Sequence, residues 1–134
     1  MAGIVDTGTM LLYLASDVFT AYQKATGMRL DETTGLLKLS SSKFKNLKLL
    51  FFMIGRTTFE WTANAQIWPC AMNAQLGGEE GTIYLTTADN GMPSRQGLDF
   101  INGFVWLQCF YTVFDMMNQQ VGVTTMSFTD VETN

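Results

Sequence analysis

The chain contains no histidine, twelve carboxylates and two cysteines, so its carboxylates are the first candidates for acid–base chemistry. Ser-His and Cys-His pairs and His-based zinc sites are thereby excluded. Cys70 and Cys109 lie far apart and match no metal-ligand spacing. They can pair or stay free, and the sequence leaves both open. Most carboxylates have turn-forming neighbours. Glu79 and Glu80 flank glycines, and Asp31, Glu32, Asp89 and Asp130 sit in polar segments, so all read as solvated turn residues. Asp115 follows Tyr111-Thr112-Val113-Phe114 and begins a hairpin turn.

Asp6 stands apart. Ile4-Val5 before it and Met10-Leu11-Leu12 after it read as buried strands, and a carboxylate between them is costly unless hydrogen-bonded. Thr7 and Thr9 offer hydroxyls, and Gly8 lets the chain turn with a backbone N–H aimed inward. Two such loops facing each other would hold two carboxylates about 3 Å apart, sharing one proton. One then acts as base and the other as acid toward an attacking water, with no histidine, thiol or metal required. Taken alone, Asp6-Thr7-Gly8 reads equally as an Asx-type turn between strands.

The elements around this loop are short. Residues 3–14 read as strand, tight turn, strand. Ser16-Asp17 opens a helix carrying Val18, Phe19 and Tyr22 at helical spacing, stopped by Gly27. Leu36, Leu37 and Leu39 make a strand, and residues 41–48 hold one helical turn. Residues 49–54 form a buried strand, Gly55-Arg56 a hairpin turn and residues 57–61 its return. A short helix is expected over 63–67, ended by Trp68-Pro69. Residues 76–81 are loop, 83–87 strand, 88–97 loop, 98–101 strand and 104–109 a helical turn. A hairpin joins 110–114 to 121–125, and the tail from Asp130 is expected to fray. The pattern predicts a mostly β fold with short helices, in one domain spanning 1–134.

The hydrophobic fraction of 47% supports a core, and the net charge is −4. The few cations include Lys38, Lys43, Lys45 and Lys48, read as a solvated face, so no nucleic-acid partner is expected. No apolar run reaches the length of a membrane span, so no membrane partner is expected either. No basic and apolar leader precedes Asp6, so no signal peptide is expected in this chain.

Ile4-Val5-Asp6-Thr7-Gly8-Thr9-Met10-Leu11-Leu12 resembles the second active-site loop of the pepsin-like aspartic proteases. The likeness continues through the helix after it and the Leu50-Phe51-Phe52-Met53-Ile54-Gly55 hairpin. It also takes in Phe100-Ile101-Asn102-Gly103-Phe104, Tyr111-Thr112-Val113-Phe114-Asp115 and Val121-Gly122-Val123. Within the family it looks most like fungal, polyporopepsin-like members.

The resemblance implies part of the C-terminal lobe of a bilobal acid protease, beginning just before its second catalytic motif, with the N-terminal lobe absent. It implies Asp6 as a catalytic aspartate. Thr7 would join a grip between the two active-site loops, Gly8 would let the substrate approach, and Thr9 would hydrogen-bond the Asp6 carboxylate. Ile101, Asn102 and Gly103 would form the strand threading behind the loop, with Ile101 near a subsite. Asn102 departs from the aliphatic residue usual there. The implied substrate is a polypeptide, cleaved at acid pH without cofactor or metal, and the implied location is secreted or vacuolar. Completing the site requires the missing lobe or a second copy, and alone the chain is expected to be inactive. Missing strands would leave exposed sheet edges and apolar surface. Two alternatives are a homodimer resembling the viral aspartic proteases and a non-catalytic β-rich binding module.

Overall fold

A computed structural model describes residues 1–132. The tail expected to fray from Asp130 includes residues 133–134, which lie outside the described residues. The described residues are mostly β with short helices.

Four strands build the sheet that carries Asp6: β1 (Gly3–Val5), β2 (Leu12–Leu14), β8 (Thr87–Asp89) and β9 (Phe100–Asn102), in the order β1-β9-β2-β8. β9 runs parallel to β1 and antiparallel to β2, so it is threaded between the two strands that flank the Asp6 loop. Cross-strand partners fall in rows, and alternate rows face opposite sides. Val5, Asn102, Leu12 and Thr87 form one row, and Leu12, Thr87 and Asn102 are buried. Ile4, Ile101, Tyr13 and Ala88 form the next row, on the other face. Ile4 is 47% exposed and Met10 54%, so the apolar residues around Asp6 are not the uniformly buried strands expected; Leu12 alone among those named is fully enclosed on a central strand.

Helix α1 (Ser16–Thr26) ends at Gly27, whose φ of +66° is the left-handed C-cap that glycine tolerates without steric cost. Its Tyr22 enters a cluster with Leu37, Leu39, Leu47, Ile67, Ile83 and Leu85. The sheet made of β3 (Arg29–Leu30), β4 (Leu37–Leu39) and β7 (Ile83–Tyr84) lies over that cluster. Helix α2 (Ser41–Phe44) follows β4. A second cluster joins Leu12 and Leu14 to Phe59, Trp61, Val105, Trp106 and Phe110. Hairpin β5 (Leu50–Ile54) and β6 (Thr57–Trp61) covers it, with Phe52 edge-on to Trp106 at 5.7 Å between ring centroids. Helix α3 (Phe104–Leu107) leads into hairpin β10 (Tyr111–Asp115) and β11 (Gln120–Thr124).

Several local expectations fail for physical reasons. Residues 63–67 form a turn rather than a helix, because Gln66 uses its side chain as the anchor. Its Nε2 donates to the carbonyls of Lys48, Trp61 and Thr62, and its Oε1 accepts the Tyr22 hydroxyl. The helical segment comes later, as a 3-10 helix at Cys70–Leu76 that the sequence reading missed. The expected 83–87 strand divides into β7 and β8, because Leu85 and Thr86 pair sideways with the carbonyls of Leu37 and Gln66. Residues 88–89, read as loop, belong to β8. Residues 49–54 are not wholly buried: Phe51 and Met53 point outward at 59% and 78% exposure.

Asp31 is no solvated turn residue. It is 8% exposed, accepts the Thr34 N–H and hydroxyl, and pairs with Lys38 Nζ at 2.6 Å. Lys38 therefore leaves the solvated lysine face; Lys43, Lys45 and Lys48 remain exposed. Cys70 and Cys109 are both free thiols. No helix among the described residues is long and apolar enough to cross a membrane.

Candidate active site

Asp6 sits where β1 leaves the sheet. Its N–H donates to the Asn102 carbonyl at 3.1 Å, one bond beyond the β1–β9 register, so the turn is hung from the threaded strand. The carboxylate is held at both oxygens. Gly8 N–H donates to Oδ1 at 2.9 Å, and the Thr9 hydroxyl donates to Oδ2 at 2.5 Å. These bonds stabilise the ionised form and hold the Asp6 carboxyl below its ordinary range, the Thr9 hydroxyl contributing most and the Gly8 N–H next, against an opposing effect of burial. Asp6 is half-buried, open on one side. Gly8 is not in the left-handed region, and a Cβ there would lie 3.3 Å from Asp6 Oδ1, a tight contact that would press on the carboxylate. Thr7 is exposed and makes no hydrogen bond among the described residues.

Gly103 fixes the loop from behind. A Cβ at this position would stand 2.3 Å from the Leu11 carbonyl oxygen and 2.6 Å from that of Thr9. With no side chain in the way, Phe104 N–H donates to the Thr9 carbonyl at 2.7 Å and Val105 N–H to that of Met10 at 3.1 Å. The free N–H groups at the start of α3 are thus satisfied by the carbonyls of the Asp6 loop. Asn102 is fully buried, and its side-chain amide has no hydrogen-bond partner among the described residues. Only its backbone carbonyl acts on the loop.

A cleft of about 420 Å³ opens beside the turn, bordered by Gly8, Thr9, Met10, Tyr13, Leu98 and Ile101. Asp89 also borders it, but its row partners Leu14 and Phe100 place its side chain on the opposite face from Tyr13 and Ile101. There Oδ1 accepts Ser16 Oγ at 2.7 Å and Gly91 N–H at 2.8 Å, so Asp89 ties a loop to α1 and does not face Asp6. The larger cavity, about 550 Å³ near Trp68, Met72, Phe104 and Phe128, has no carboxylate or cation in its lining. No group of three or more Cys, Asp or Glu among the described residues is placed to hold a metal ion.

Asp6, Gly8, Thr9, Ile101, Asn102 and Gly103 therefore meet around one turn, while Thr7 stays outside the hydrogen-bonded set. Tyr13 and Leu98 were missed. The alternation Ile4, Tyr13, Ile101 across paired strands is the signal that would have found Tyr13, but it needs the β9 pairing. Asp99, also missed, is 2% exposed at the head of β9.

Comparisons with known proteins agree with this geometry. The family model described as "Eukaryotic aspartyl protease" matches residues 1–126. Polyporopepsin from Irpex lacteus is 52% identical over 133 residues, covering 99% of this chain and 39% of that protein. Human gastricsin is 33% identical over 122 residues, covering 91% of this chain and 29% of that protein. The crystal structure of the aspartic proteinase from Irpex lacteus superposes with a TM-score of 0.95 at 52% identity, covering 98% of this chain and 39% of that one. The chain thus spans about two fifths or less of the length of these relatives.

Proposed function

The chain belongs to the eukaryotic aspartyl proteases, and on that premise we propose that it is the C-terminal-lobe part of an aspartic endopeptidase, carrying one of the two catalytic aspartates, Asp6. The observation that carries this reading is the carboxylate gripped at Oδ1 by Gly8 N–H and at Oδ2 by the Thr9 hydroxyl, in a turn whose Gly8 and Thr9 line an open cleft.

Asp6 would be one of two carboxyls that share a single proton, the second supplied opposite it by the remainder of the protein. A water between them gives a proton to the ionised carboxylate as its oxygen attacks the peptide carbonyl. The protonated carboxyl meanwhile gives its proton to the carbonyl oxygen. Gly8, with no side chain, lets an extended peptide backbone approach the carboxylate. Ile101 and Tyr13 supply an apolar wall for substrate side chains. Asp89 is turned away to Ser16 and Gly91, so the cycle lacks its second carboxyl among the described residues, and the chain alone is inactive on this reading. Secretion or vacuolar delivery accompanies the acid-pH chemistry.

The test is cleavage of a denatured protein at acid pH, with and without a transition-state-mimicking inhibitor of aspartic proteases. Wild type and Asp6→Asn are compared, each alone and with a chain supplying a first Asp-Thr-Gly lobe. Inhibitor-sensitive, Asp6-dependent cleavage only in the mixture supports the proposal. Activity that rises with the concentration of this chain alone, together with a dimer on sizing, would replace it with a homodimeric protease. Peptide binding unaffected by Asp6→Asn, with no cleavage in any mixture, would leave a binding module.

A further inference from the structure

The strand that delivers Asp6 is weakly built. β1 has three residues, pairs on one side only and is largely exposed, and Gly3 at its start contributes no side chain. Such a strand should fray unless something pins its start. Asp99 is placed to do so. Its Oδ2 accepts the Ala2 N–H at 2.6 Å, and its Oδ1 accepts the Arg95 N–H in a short hydrogen bond. Its own N–H donates to the Ala2 carbonyl at 2.6 Å, and its carbonyl accepts the Ala15 N–H at 2.8 Å. One residue, 2% exposed, therefore joins the start of β1, the 90–99 loop, the entry to β9 and the entry to α1. Between Ala2 at Asp99 and Asp6 at Asn102, β1 is fastened at both ends.

We infer that Asp99 is a positioning residue for the catalytic loop: its carboxylate clips β1 onto β9, and β1 in turn sets where Asp6 stands. A carboxylate suits this place because it accepts two N–H groups at once and donates none. The asparagine amide offers one accepting oxygen and would turn an N–H toward the second donor. Arg95 N–H first, and Ala2 N–H second, hold the Asp99 carboxyl below its ordinary range, so the clip persists into acid. The charged groups acting on it are the Met1 ammonium, 3.9 Å away on the β1 side, which favours ionisation, and Asp17 on α1, which opposes it. Arg95 takes part through its backbone. Ala2 N–H is a peptide group, so the clip does not depend on the ammonium.

The inference takes its catalytic meaning from the reading of Asp6 above, but its test reads loop geometry and no proteolysis. Backbone amide exchange and the side-chain carboxyl titration of Asp6 are followed by NMR in the 134-residue chain and its Asp99→Asn variant. At a pH where Asp99 is ionised, the variant should exchange its Ala2 and Asp6 amides about ten- to a hundredfold faster, the loss expected for hydrogen bonds to a charged group. Leu12 and Leu85 amides should be unchanged, and Asp6 should titrate at higher pH as the Thr9 and Gly8 bonds loosen. Equal acceleration of all four amides, or an unchanged Asp6 titration, overturns the inference. Should the variant not fold, the wild-type chain decides. The Ala2 and Asp6 amide signals must then shift together with the Asp99 carboxyl as pH falls, ahead of global unfolding; separate midpoints overturn the inference. Absent proteolysis in the mixture with a first-lobe chain, with this pattern intact, would count against the catalytic reading alone.

Discussion

The Thr9 hydroxyl lies 2.5 Å from Oδ2 of Asp6 and is the largest influence lowering that carboxyl's pKa. Replacing Thr9 with the near-isosteric Val removes the donor and leaves Gly8 N–H alone. The Asp6 carboxyl should then titrate at higher pH, measured by its side-chain carbonyl shift. The sign for stability follows. A carboxyl whose folded pKa is depressed stabilises the fold above its unfolded pKa, and that contribution vanishes as pH falls through the folded pKa. The Tm gap between wild type and Thr9→Val should therefore close on acidification; a gap that widens would sink the assignment.

Gly103 has no room for a methyl group, because the obstructing atoms are the Leu11 and Thr9 backbone oxygens. Backbone cannot rotate aside as a flexible side chain can. Gly103→Ala should cost about 1–3 kcal/mol or more in urea denaturation. It should also perturb the Phe104 and Val105 amide shifts, which report the docking of α3 on the loop. A neutral variant would mean that the loop moves freely over β9.

Gln66 is fully buried and satisfies three carbonyls and one hydroxyl. Gln66→Leu keeps much of the volume and removes the side-chain partner of the Lys48 and Trp61 carbonyls and the Tyr22 hydroxyl, while the Thr62 carbonyl keeps the backbone N–H of residue 66. The expected loss is about 2–5 kcal/mol, since each buried polar group without a partner costs about 1–3 kcal/mol. Restoring stability by a second change, Tyr22→Phe, should recover only the hydroxyl's share. Burial raises the Tyr22 phenol pKa, so that hydroxyl stays a donor across the working pH range.

The Asp31–Lys38 pair fixes a pH window. Lys38 first, then the Thr34 groups, hold the Asp31 carboxyl below its ordinary range, and Asp31 raises the Lys38 amine. The carboxyl's contribution is lost as pH falls through its folded pKa, and the amine's as pH rises through its own. In a double-mutant cycle of Asp31→Asn and Lys38→Met, the coupling read from Tm should be greatest between these limits and shrink at both ends. A coupling independent of pH would show that the contact is not an ion pair.

Much of the site was legible in the sequence because it is local. Gly8 and Thr9 reach Asp6 within one turn, and residue types alone predict those bonds. The hairpins were legible for the same reason, through Gly55 and through Asp115. What failed depended on partners distant in sequence. Gln66 is an ordinary polar residue until Lys48 and Tyr22 are brought to it, and then it overrides a local helical tendency. Asp31 read as a solvated turn residue because Lys38 is next to it only after β3 and β4 pair. Asp99 carried no signal of its own within the strand read over 98–101 until Ala2 was laid beside it.

The threading of β9 has a consequence for how the protein comes into being. β1 and β2 lie near the start of the chain, yet the strand that separates them comes from the far end; the Ala2–Asp99 contact spans 97 positions. Pairings so distant close late, after faster local hairpins have formed. During synthesis the Asp6 motif leaves the ribosome before β9 and cannot be seated until β9 and Gly103 have followed it. Until then the growing chain carries the residues of the motif without their arrangement, and so without an organised cleft in which to hold a peptide.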